Sequence, residues 1–297
     1  LARTLTQAGY QVVILNRGYK GEFEGEVGVV SNGEEVLMSA QEAGDEAYML
    51  ATRLSEIPVV VGAERTKTGE YACQDFEPDF IILDDGFQHW QVDRDYDFVV
   101  IDATNPFDNG YLLPRGRLRE PVSRLDRGDI FILTKVDQIS ETRLKEIKKK
   151  LIKINPAATI MTTKHAPTYL RKIIDQEKKE SDLKEQEVLA VSGIGNPKAF
   201  EQTLEDLGAR VVDKVRYRDH HDYSKEEIVE IFTKASHKGV DKIITTEKDA
   251  VSINQDLVEE IGQEKIDFEV LGIELEILDS ERKFEDVISK LEVSGCE

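Results

Sequence analysis

The sequence is poor in cysteine and contains no long apolar run. Its two cysteines, Cys73 and Cys296, lie far apart and imply neither a disulfide framework nor a thiolate metal site. No apolar run approaches the roughly 18 residues that a membrane-spanning helix needs. No signal-peptide pattern follows Leu1. We therefore expect an intracellular protein that is either soluble or bound at a membrane surface.

Basic residues are scarce relative to acidic ones. The chain has 39 lysines and arginines against 59 aspartates and glutamates, which gives a formal charge of −20 at pH 7. Broad nucleic-acid binding needs a basic surface, and so does docking on an anionic membrane through general electrostatics. We therefore expect no nucleic-acid partner. The length of 297 residues suggests about two domains.

A Walker A loop is also absent, since the pattern G-x-x-x-x-G-K-[ST] occurs nowhere in the chain. Residues 1–9 predict the last turns of a helix that ends at Gly9. Residues 10–15 then predict a buried strand. Because a domain seldom begins within a helix, we expect a strand, a loop and the start of this helix to lie upstream of Leu1.

Strand and helix patterns alternate through the first half of the chain. Residues 43–54 and 139–154 have helical spacing. Apolar runs of strand length occur at residues 11–15, 58–61, 80–83, 98–101 and 130–133. This alternation predicts an α/β fold with a mostly parallel sheet flanked by helices.

The pattern changes after residue 155. Residues 172–187 are mostly charged and predict a solvated connection or an exposed helix. A second α/β series follows, with strands at 188–191, 210–215, 242–245 and 268–271 and helices at 197–207 and 224–237. We therefore predict a core domain of residues 1–158 and a second, smaller α/β domain of residues 159–297.

The most informative segment is residues 80–89, where an apolar run leads into Asp84, Asp85, Gly86, Gln88 and His89. Such a run predicts a strand buried on both faces of a parallel sheet, and open α/β sheets bind ligands at the carboxyl ends of their strands. Adjacent carboxylates at that edge repel each other unless a cation lies beside them, and Mg²⁺ is the usual one. We predict the magnesium-binding strand of a phosphoryl-transfer enzyme, with an acidic Asp-Gly turn as the alternative.

Two further segments are candidates for phosphate chemistry. The turn from Asn16 to Gly21 follows a buried strand, and its glycines permit close approach to a ligand. Arg17 could clamp a phosphate there, although a plain loop is the alternative. Asp45 and Glu46 lie near the start of a predicted helix, where a carboxylate either caps the helix or accepts a proton from an attacking hydroxyl.

Positive charge is concentrated in residues 115–127, which contain five arginines and two acidic residues. Arginine binds phosphate in a fixed fork geometry, so this loop predicts an anionic substrate, with an exposed salt-bridged loop as the alternative. Further along, His220 and His221 are flanked by Asp219 and Asp222. Because adjacent histidines rarely chelate one ion well, we favour a histidine that handles protons together with a carboxylate.

Two other patterns bear on the interpretation. Residues 134–137, with the sequence TKVD, follow a buried strand and resemble the guanine-reading element of P-loop GTPases. A GTPase of metallochaperone or switch type therefore stays open as an alternative, as does a binding protein without catalytic activity. Ser224 and Glu227 predict a capping box at the start of a helix.

Taken in order, these segments resemble the tetraacyldisaccharide 4'-kinase family, the lipid A 4'-kinases, over nearly the whole chain. The matching elements are Arg17-Gly18-Tyr19, Gly44-Asp45-Glu46, Val59-Val60-Val61-Gly62 with Arg65, residues 84–89, Asn109-Gly110, Leu113-Pro114 with Leu118-Arg119-Glu120-Pro121, Gly193-Ile194-Gly195-Asn196-Pro197, Asp219-His220 and residues 246–251.

The resemblance implies a P-loop-NTPase-like fold and a phosphotransferase that uses ATP and Mg²⁺. The γ-phosphoryl group would go to the 4'-hydroxyl of a tetraacylated glucosamine disaccharide 1-phosphate, in lipid A biosynthesis. The enzyme would lie peripherally on the cytoplasmic face of the inner membrane, and we expect a monomer. The family's Walker A loop and its membrane-contacting N-terminal helix would lie upstream of Leu1, so a chain that starts at Leu1 could be inactive.

The resemblance also implies roles for individual residues. It assigns catalysis to Asp45, working with His220 of the second domain. The expected nucleotide-binding residues are Arg17, Gly18, Asp84, Asp85, Gln88 and Glu120, with Asp84 and Asp85 as the Mg²⁺ ligands. The expected substrate-binding residues are Asn109, Arg115, Arg117 and Arg119, because the 1-phosphate of the acceptor gives the arginines an anionic target.

Overall fold

The computed structural model describes residues 1–175, 177–219, 221–261, 266–279 and 281–291. The helices are α1 (Ala2–Gln7), α2 (Ala40–Ala43), α3 (Asp45–Arg53), α4 (Arg65–Phe76), α5 (Glu141–Ile154), α6 (Pro197–Asp206), α7 (Lys225–Lys238), α8 (Glu247–Ser252), α9 (Gln255–Ile261) and α10 (Glu281–Ile288). The strands are β1 (Val12–Asn16), β2 (Gly28–Ser31), β3 (Val59–Val61), β4 (Phe80–Leu83), β5 (Phe98–Asp102), β6 (Ile130–Thr134), β7 (Thr159–Lys172), β8 (Glu187–Ser192), β9 (Arg210–Arg216), β10 (Lys242–Thr246) and β11 (Asp267–Ile277). The predicted α/β class is confirmed.

The chain divides into two compact units, each built from two separate segments. Unit 1 contains residues 1–84 and 167–273, and unit 2 contains residues 85–166 and 274–297. The chain passes from one unit to the other within β7 and again within β11. These units therefore differ from the predicted division at residue 158, because each long strand contributes residues to both units. The domains 1–158 and 159–297 stay a prediction.

The first sheet of unit 1 has the strand order β2-β3-β1-β4. Strand β1 is parallel to both β3 and β4, whereas β2 is antiparallel to β3. All five residues of β1 are buried, as its continuous apolar sequence predicts. The parallel pairing brings the carboxyl ends of β1 and β4 to the same edge of the sheet.

Strand β4 is less buried than its sequence predicts. All four residues from Phe80 to Leu83 are half-buried, so the prediction of a strand buried on both faces is wrong. The reason is that β4 lies at the end of the strand order and pairs with β1 on one side. An apolar run alone does not distinguish a central strand from such an edge strand.

The second sheet of unit 1 contains parallel strands in the order β11-β10-β8-β9. Its core joins Leu189 of β8, Ile243 of β10 and Phe268 of β11 to Ile228 and Phe232 of α7. Helix α7 begins at the predicted capping box, in which Ser224 and Glu227 each bond to the other's backbone N–H. The second α/β series of the sequence is therefore confirmed.

Unit 2 contains the parallel strands β5, β6 and the first part of β7. Phe131 and Leu133 of β6 pack against Ile147 and Leu151 of α5, and all four side chains are buried. Helix α5 covers the predicted helix at residues 139–154, and Ser140 caps it by accepting a hydrogen bond from the Arg143 N–H. Unit 2 thus has a core of its own.

The structure refines two predictions, the helix at residues 43–54 and the charged segment at residues 172–187, which was predicted as a solvated connection or an exposed helix. The helix at residues 43–54 is divided at Gly44, where φ is +84°, into α2 and α3. The described residues between β7 and β8 contain no helix, and Leu170 and Lys179 form an isolated antiparallel bridge there. Leu183 in this connection is fully buried. Ile173 in the same segment is also fully buried, so the charged segment is a connection with two buried apolar side chains rather than an exposed helix.

Two further observations concern cysteine and membranes. Cys73 of α4 is disulfide-bonded, although the sequence implies no disulfide framework. Among the described residues, no helix is both long enough and apolar enough to cross a bilayer.

Candidate active site

Asn16 connects two of the predicted nucleotide-binding segments in unit 1. It is the last residue of β1 and is 4% exposed. Its Oδ1 accepts a hydrogen bond from the backbone N–H of Gly18 at 2.8 Å, and its Nδ2 donates to Asp84 Oδ2 at 2.6 Å. One buried amide therefore fixes both the turn after β1 and the carboxylate after β4.

The turn after β1 packs against the junction between α2 and α3. Gly18 has φ of +70°, and a Cβ there would lie 3.4 Å from the Ala43 carbonyl oxygen. A Cβ on Gly21 would meet the Glu42 carbonyl oxygen at 2.3 Å, and one on Gly44 would meet the Tyr19 carbonyl oxygen at 2.5 Å. The backbones approach this closely only because glycines occupy these positions.

Asp45 is the first residue of α3, directly after this glycine junction. Its side chain is half-buried, whereas that of Glu46 is exposed. Arg17 is exposed on the neighbouring turn. The structure thus brings the Arg17-Gly18 turn to the α2–α3 junction that precedes Asp45, as expected if both belong to one phosphate-handling site.

The other end of α3 is anchored to α8 within unit 1. Arg53 Nη1 donates to Glu247 Oε2 at 3.0 Å, and Arg53 Nη2 donates to the Ile273 carbonyl oxygen at 2.8 Å. The Tyr169 hydroxyl donates to Glu247 Oε1. Burial, with the Glu247 carboxylate alongside, raises the pKa of Tyr169 to about 12, so the hydroxyl keeps its proton at neutral pH and remains a donor.

Asp249 is the centre of a buried polar cluster next to the predicted Asp-His element. It is 3% exposed. Its carboxylate accepts from the Gly193 N–H at 2.9 Å, the Tyr223 hydroxyl at 3.0 Å and the Thr246 hydroxyl at 2.6 Å. Burial raises the pKa of Asp249, although the accepted hydrogen bonds act in the opposite direction. The cluster ties α8 to the loop after β8 and to the segment before α7.

The predicted catalytic His220 lies outside the described residues. Its neighbours are described on both sides: Asp219 Oδ1 accepts from Lys248 Nζ at 2.9 Å, and His221 Nε2 lies 3.0 Å from Glu227 Oε2. The His221 ring is stacked on Tyr217 with centroids 4.3 Å apart. A histidine paired with a carboxylate therefore exists here, but at His221 and with the capping-box glutamate.

In unit 2, Asp85 forms an ion pair with Arg119. Arg119 Nη1 donates to Asp85 Oδ2 at 2.9 Å, and both side chains are largely exposed. Asp85 adopts φ of +48°, a left-handed conformation that aspartate tolerates better than most residues. Hydrogen bonding to Asp85 raises the pKa of Arg119. Arg119, which was expected to bind the acceptor, thus contacts Asp85, which was expected to bind the nucleotide and Mg²⁺.

Glu120 and Arg127 form a second and better shielded ion pair in unit 2. Arg127 donates to both carboxylate oxygens of Glu120, at 2.8 and 3.2 Å, and to the Phe87 carbonyl oxygen at 2.9 Å. The guanidinium also lies 4.0 Å from the centroid of the Trp90 ring. Hydrogen bonds from Arg127 and, more weakly, from Gln88 lower the pKa of Glu120. The predicted nucleotide-side residues Gln88 and Glu120 therefore lie near each other.

The remaining predicted substrate-binding residues lie on one tight loop of unit 2. The Asn109 side chain accepts from the Tyr111 N–H at 3.0 Å and donates to the Arg115 carbonyl oxygen at 3.2 Å. The Arg115 guanidinium lies 3.6 Å from the centroid of the Tyr111 ring. Hydrogen bonds from Asn105 and from the backbone of Asn109 lower the pKa of Asp108, and the exposed Arg117 adds a smaller contribution. Asn109 therefore shapes the loop that presents the arginines.

The TKVD segment of unit 2 has a local partner. Lys135 Nζ donates to Asp102 at the end of β5, and Asp102 also accepts from the backbone N–H and the hydroxyl of Thr104. The pairing lowers the pKa of Asp102 against the opposing effect of its burial. An ion pair between neighbouring strand ends accounts for Lys135 without a guanine base.

The sequence argument assigns no role to four residues that organise these clusters. They are Asn16, Arg127, Glu247 and Asp249. Asn16 could be noticed as a polar residue that ends a fully apolar strand, and the two acidic residues lie in the matching segment 246–251. Arg127 is one of five arginines in its loop, and nothing in the sequence separates it from the others.

Comparisons with known proteins give a consistent result. A model of the family described as tetraacyldisaccharide-1-P 4'-kinase matches residues 1–292. The chain belongs to this family. It is 40% identical over 288 residues to the tetraacyldisaccharide 4'-kinase of Halothermothrix orenii, covering 93% of this chain and 75% of the relative. It is 37% identical over 261 residues to the enzyme of the same name from Syntrophus aciditrophicus, covering 85% and 70% of the two chains.

A solved structure agrees with the family assignment. The apo-form crystal structure of LpxK from Aquifex aeolicus in complex with ATP matches with a TM-score of 0.71 at 28% sequence identity. The match covers 97% of this chain and 82% of that one. The predicted family and the P-loop kinase fold are therefore confirmed.

Proposed function

We propose that this chain carries out the reaction of its family. It transfers the γ-phosphoryl group of ATP to the 4'-hydroxyl of a tetraacylated glucosamine disaccharide 1-phosphate, a step of lipid A biosynthesis. The family match over residues 1–292 is the observation that carries this proposal. A structural relative solved with ATP supports ATP as the donor. Family membership favours this kinase over the GTPase alternative.

On the nucleotide side, we propose that Arg17, Gly18, Gln88 and Glu120 contact ATP and that Asp84 and Asp85 hold Mg²⁺. The donor set fits a magnesium ion, which prefers oxygen ligands and often takes only one or two carboxylates beside phosphates and waters. Such a site is compatible with the finding that no three potential metal-ligating side chains cluster among the described residues. When bound, the ion would neutralise charge on the phosphates.

Within this arrangement, Asn16 keeps the Asp84 carboxylate oriented. The amide donates to Oδ2, so Oδ1 is the oxygen that the contact leaves for a ligand. Asp85 differs, because Arg119 already holds one of its oxygens. We therefore propose that Asp84 is the more permanent ligand and that Asp85 exchanges Arg119 for the cation.

For catalysis, we propose that Asp45 accepts the proton of the 4'-hydroxyl and that His220 orients or assists it. The support for Asp45 is its place directly after the glycine junction on which the Arg17-Gly18 turn packs. A carboxylate is acceptor-only when ionised, which suits a base. Loss of a general base typically lowers the rate by about 10² to 10⁴-fold.

On the acceptor side, we propose that Asn109, Arg115, Arg117 and Arg119 hold the anionic sugar. Arg115 and Arg117 are exposed on the loop that Asn109 shapes. Binding the 1-phosphate there would use the local positive charge of a chain that is otherwise strongly acidic. We also propose a peripheral location on the cytoplasmic face of the inner membrane and a monomeric state.

The function is tested by phosphoryl transfer from labelled ATP to the disaccharide 1-phosphate, using the purified protein. We expect labelled lipid product and a preference for ATP over GTP. Label that appears only as free phosphate, with GTP preferred, would refute the kinase. Asp45→Asn and His220→Ala should each lower kcat by about 10²-fold or more with little change in ATP affinity. Glu46→Gln, in the same helical turn but exposed, is the matched control and should keep normal turnover.

The acceptor loop needs a separate test because Arg119 also pairs with Asp85. Arg119→Ala should raise the acceptor KM by roughly ten-fold, since a charge-assisted hydrogen bond is worth about 1.5–3 kcal/mol. Arg143→Ala, which removes an exposed arginine paired with Glu146 on α5, should change neither KM. A raised ATP KM with an unchanged acceptor KM would show that Arg119 serves Asp85 and the nucleotide instead.

A further inference from the structure

Three consecutive large apolar side chains are exposed on the arginine-rich loop of unit 2. Tyr111 is 45% exposed, Leu112 41% and Leu113 63%. Single exposed apolar residues are ordinary on protein surfaces, but contiguous ones mark interaction sites. None of the proposed roles in nucleotide or sugar binding uses these three residues.

Backbone hydrogen bonds hold the loop that carries these three residues in one tight turn. The backbone N–H of Leu113 donates to the Leu118 carbonyl oxygen at 3.1 Å, and the Leu118 N–H donates to the Tyr111 carbonyl oxygen at 3.3 Å. The Gly116 N–H donates to the Leu112 carbonyl oxygen at 2.9 Å. A Cβ on Gly116 would lie 2.0 Å from the Tyr111 carbonyl oxygen, so only glycine fits. The geometry of the turn therefore keeps the two leucine side chains exposed.

The charges beside the leucines are positive. Arg115 lies over the Tyr111 ring with its guanidinium carbon 3.6 Å from the ring centroid. Arg117, two residues further along the chain, is exposed. The chain as a whole carries −20, so this local charge would not arise from general composition. Leucines flanked by an aromatic ring and arginines match the surface of an anionic bilayer, with its apolar interior and charged headgroups.

We propose that residues 111–117, which we call the loop tip, insert into the surface of an anionic phospholipid bilayer. Leu112 and Leu113 would enter the acyl region, while Arg115 and Arg117 would lie at the level of the lipid phosphates, where the 1-phosphate of the membrane-bound acceptor also lies. This inference rests on the proposed function, which places the acceptor lipid in a membrane. A protein partner fits less well, because a stable protein interface needs about 1,000 Å² or more of buried area, and three side chains with two arginines offer much less.

The proposal is tested by sedimentation of the purified chain with vesicles of phosphatidylcholine, with or without phosphatidylglycerol. We expect binding to the anionic vesicles that weakens with added salt, and weaker binding to the neutral ones. The double variant Leu112→Ser/Leu113→Ser should lower the partition coefficient on anionic vesicles by about ten-fold or more, because two buried leucine side chains are lost. The double variant Ile152→Ser/Ile174→Ser, which removes two similarly exposed isoleucines elsewhere, should bind as the wild type does.

Several results would overturn the proposal. One is a wild-type chain that does not bind anionic vesicles, and another is a leucine variant that binds them normally. If the leucine variant binds vesicles normally but has a raised KM for acceptor dispersed in detergent, the leucines hold the acyl chains of the acceptor instead. Circular dichroism checks that each variant is folded. Vesicle binding needs no ATP, so loss of the kinase function with intact leucine-dependent binding would refute the proposed function alone.

Discussion

Replacement of Asp249 offers the sharpest test of the polar cluster in unit 1. The carboxylate is buried and accepts three hydrogen bonds, from the Gly193 N–H, the Tyr223 hydroxyl and the Thr246 hydroxyl. At about 1 kcal/mol for each hydrogen bond, Asp249→Ala should lower the free energy of unfolding by about 3 kcal/mol. The Gly193 N–H is the costliest loss, because it would remain buried without an acceptor.

Asp249→Asn should be much milder. The amide keeps Oδ1, which accepts from both Gly193 and Tyr223. The new NH₂ group replaces Oδ2 opposite the Thr246 hydroxyl, which can rotate and accept instead. We therefore expect a loss of about 1 kcal/mol, which corresponds to one rearranged hydrogen bond.

The difference in stability between the wild type and Asp249→Asn should change with pH in one definite direction. Burial raises the pKa of Asp249 in the folded state, so the ionised carboxylate destabilises the fold relative to the protonated one. The stabilisation of the fold by protonated Asp249 is complete below the pKa of the unfolded state and decreases as the pH rises through the pKa of the folded state. Because asparagine cannot ionise, the stability advantage of the wild type over Asp249→Asn should be largest in acid and shrink toward neutral pH.

Urea unfolding followed by circular dichroism measures these changes. Glu259→Ala, which removes an exposed carboxylate from α9 in the same unit, is the control and should change the free energy by no more than about 0.5 kcal/mol. The reasoning is refuted if Asp249→Asn is as destabilised as Asp249→Ala, because the charge and not the hydrogen-bond acceptor would then stabilise the cluster.

Three other predictions concern single contacts. Gly44→Ala places a Cβ 2.5 Å from the Tyr19 carbonyl oxygen at a residue with φ of +84°. Thermal unfolding should therefore show a loss of about 1–3 kcal/mol in the free energy of unfolding, and an unshifted midpoint would contradict the close approach. Glu247→Gln weakens the ion pair with Arg53 that anchors α3 and should lower kcat more than it raises the ATP KM; equal changes in both would argue against a positioning role. Because Arg127 lowers the pKa of Glu120, their pair stabilises the fold above the ordinary glutamate pKa and loses that contribution as the pH falls through the lowered value. Thermal scans should therefore show Glu120→Gln destabilised at neutral pH and equal to the wild type in strong acid, whereas a difference independent of pH would be inconsistent with this pair.

Continuous apolar runs predict most strands of this fold because burial in a parallel sheet demands them. The runs at β1, β3, β4, β5 and β6 all form strands near the predicted positions. Strand β7 has no such signal, since its sequence mixes threonine, lysine and histidine with Pro167, and proline within a run argues against a strand. Helix α4 likewise lacks a clear apolar face and carries Gly69 in its interior. Both elements form because the tertiary structure overrides weak local preferences.

The ion pairs of the candidate site could not be predicted from the sequence. Arg119 and Arg127 belong to the same loop, yet one pairs with exposed Asp85 and the other with shielded Glu120. That difference depends on side-chain distances of a few ångströms, which follow from packing rather than from spacing along the chain. By contrast, the capping box of Ser224 and Glu227 is local, and the sequence predicts it correctly.

The construction of each unit from two separate segments has a consequence for synthesis on the ribosome. Residues 1–84 cannot meet their partners in unit 1 until residues 167–273 have been made. The contact of Arg53 with Glu247, for example, joins positions 194 residues apart. We therefore expect the N-terminal sheet and α3 to lack their packing partners from residues 167–273 while β5 and β6 of unit 2 are translated and paired. Contacts this distant along the chain also slow folding, so this protein should depend on chaperones more than one whose units are continuous in sequence. Refolding of the purified protein that is equally fast and complete with and without added chaperones would contradict this expectation.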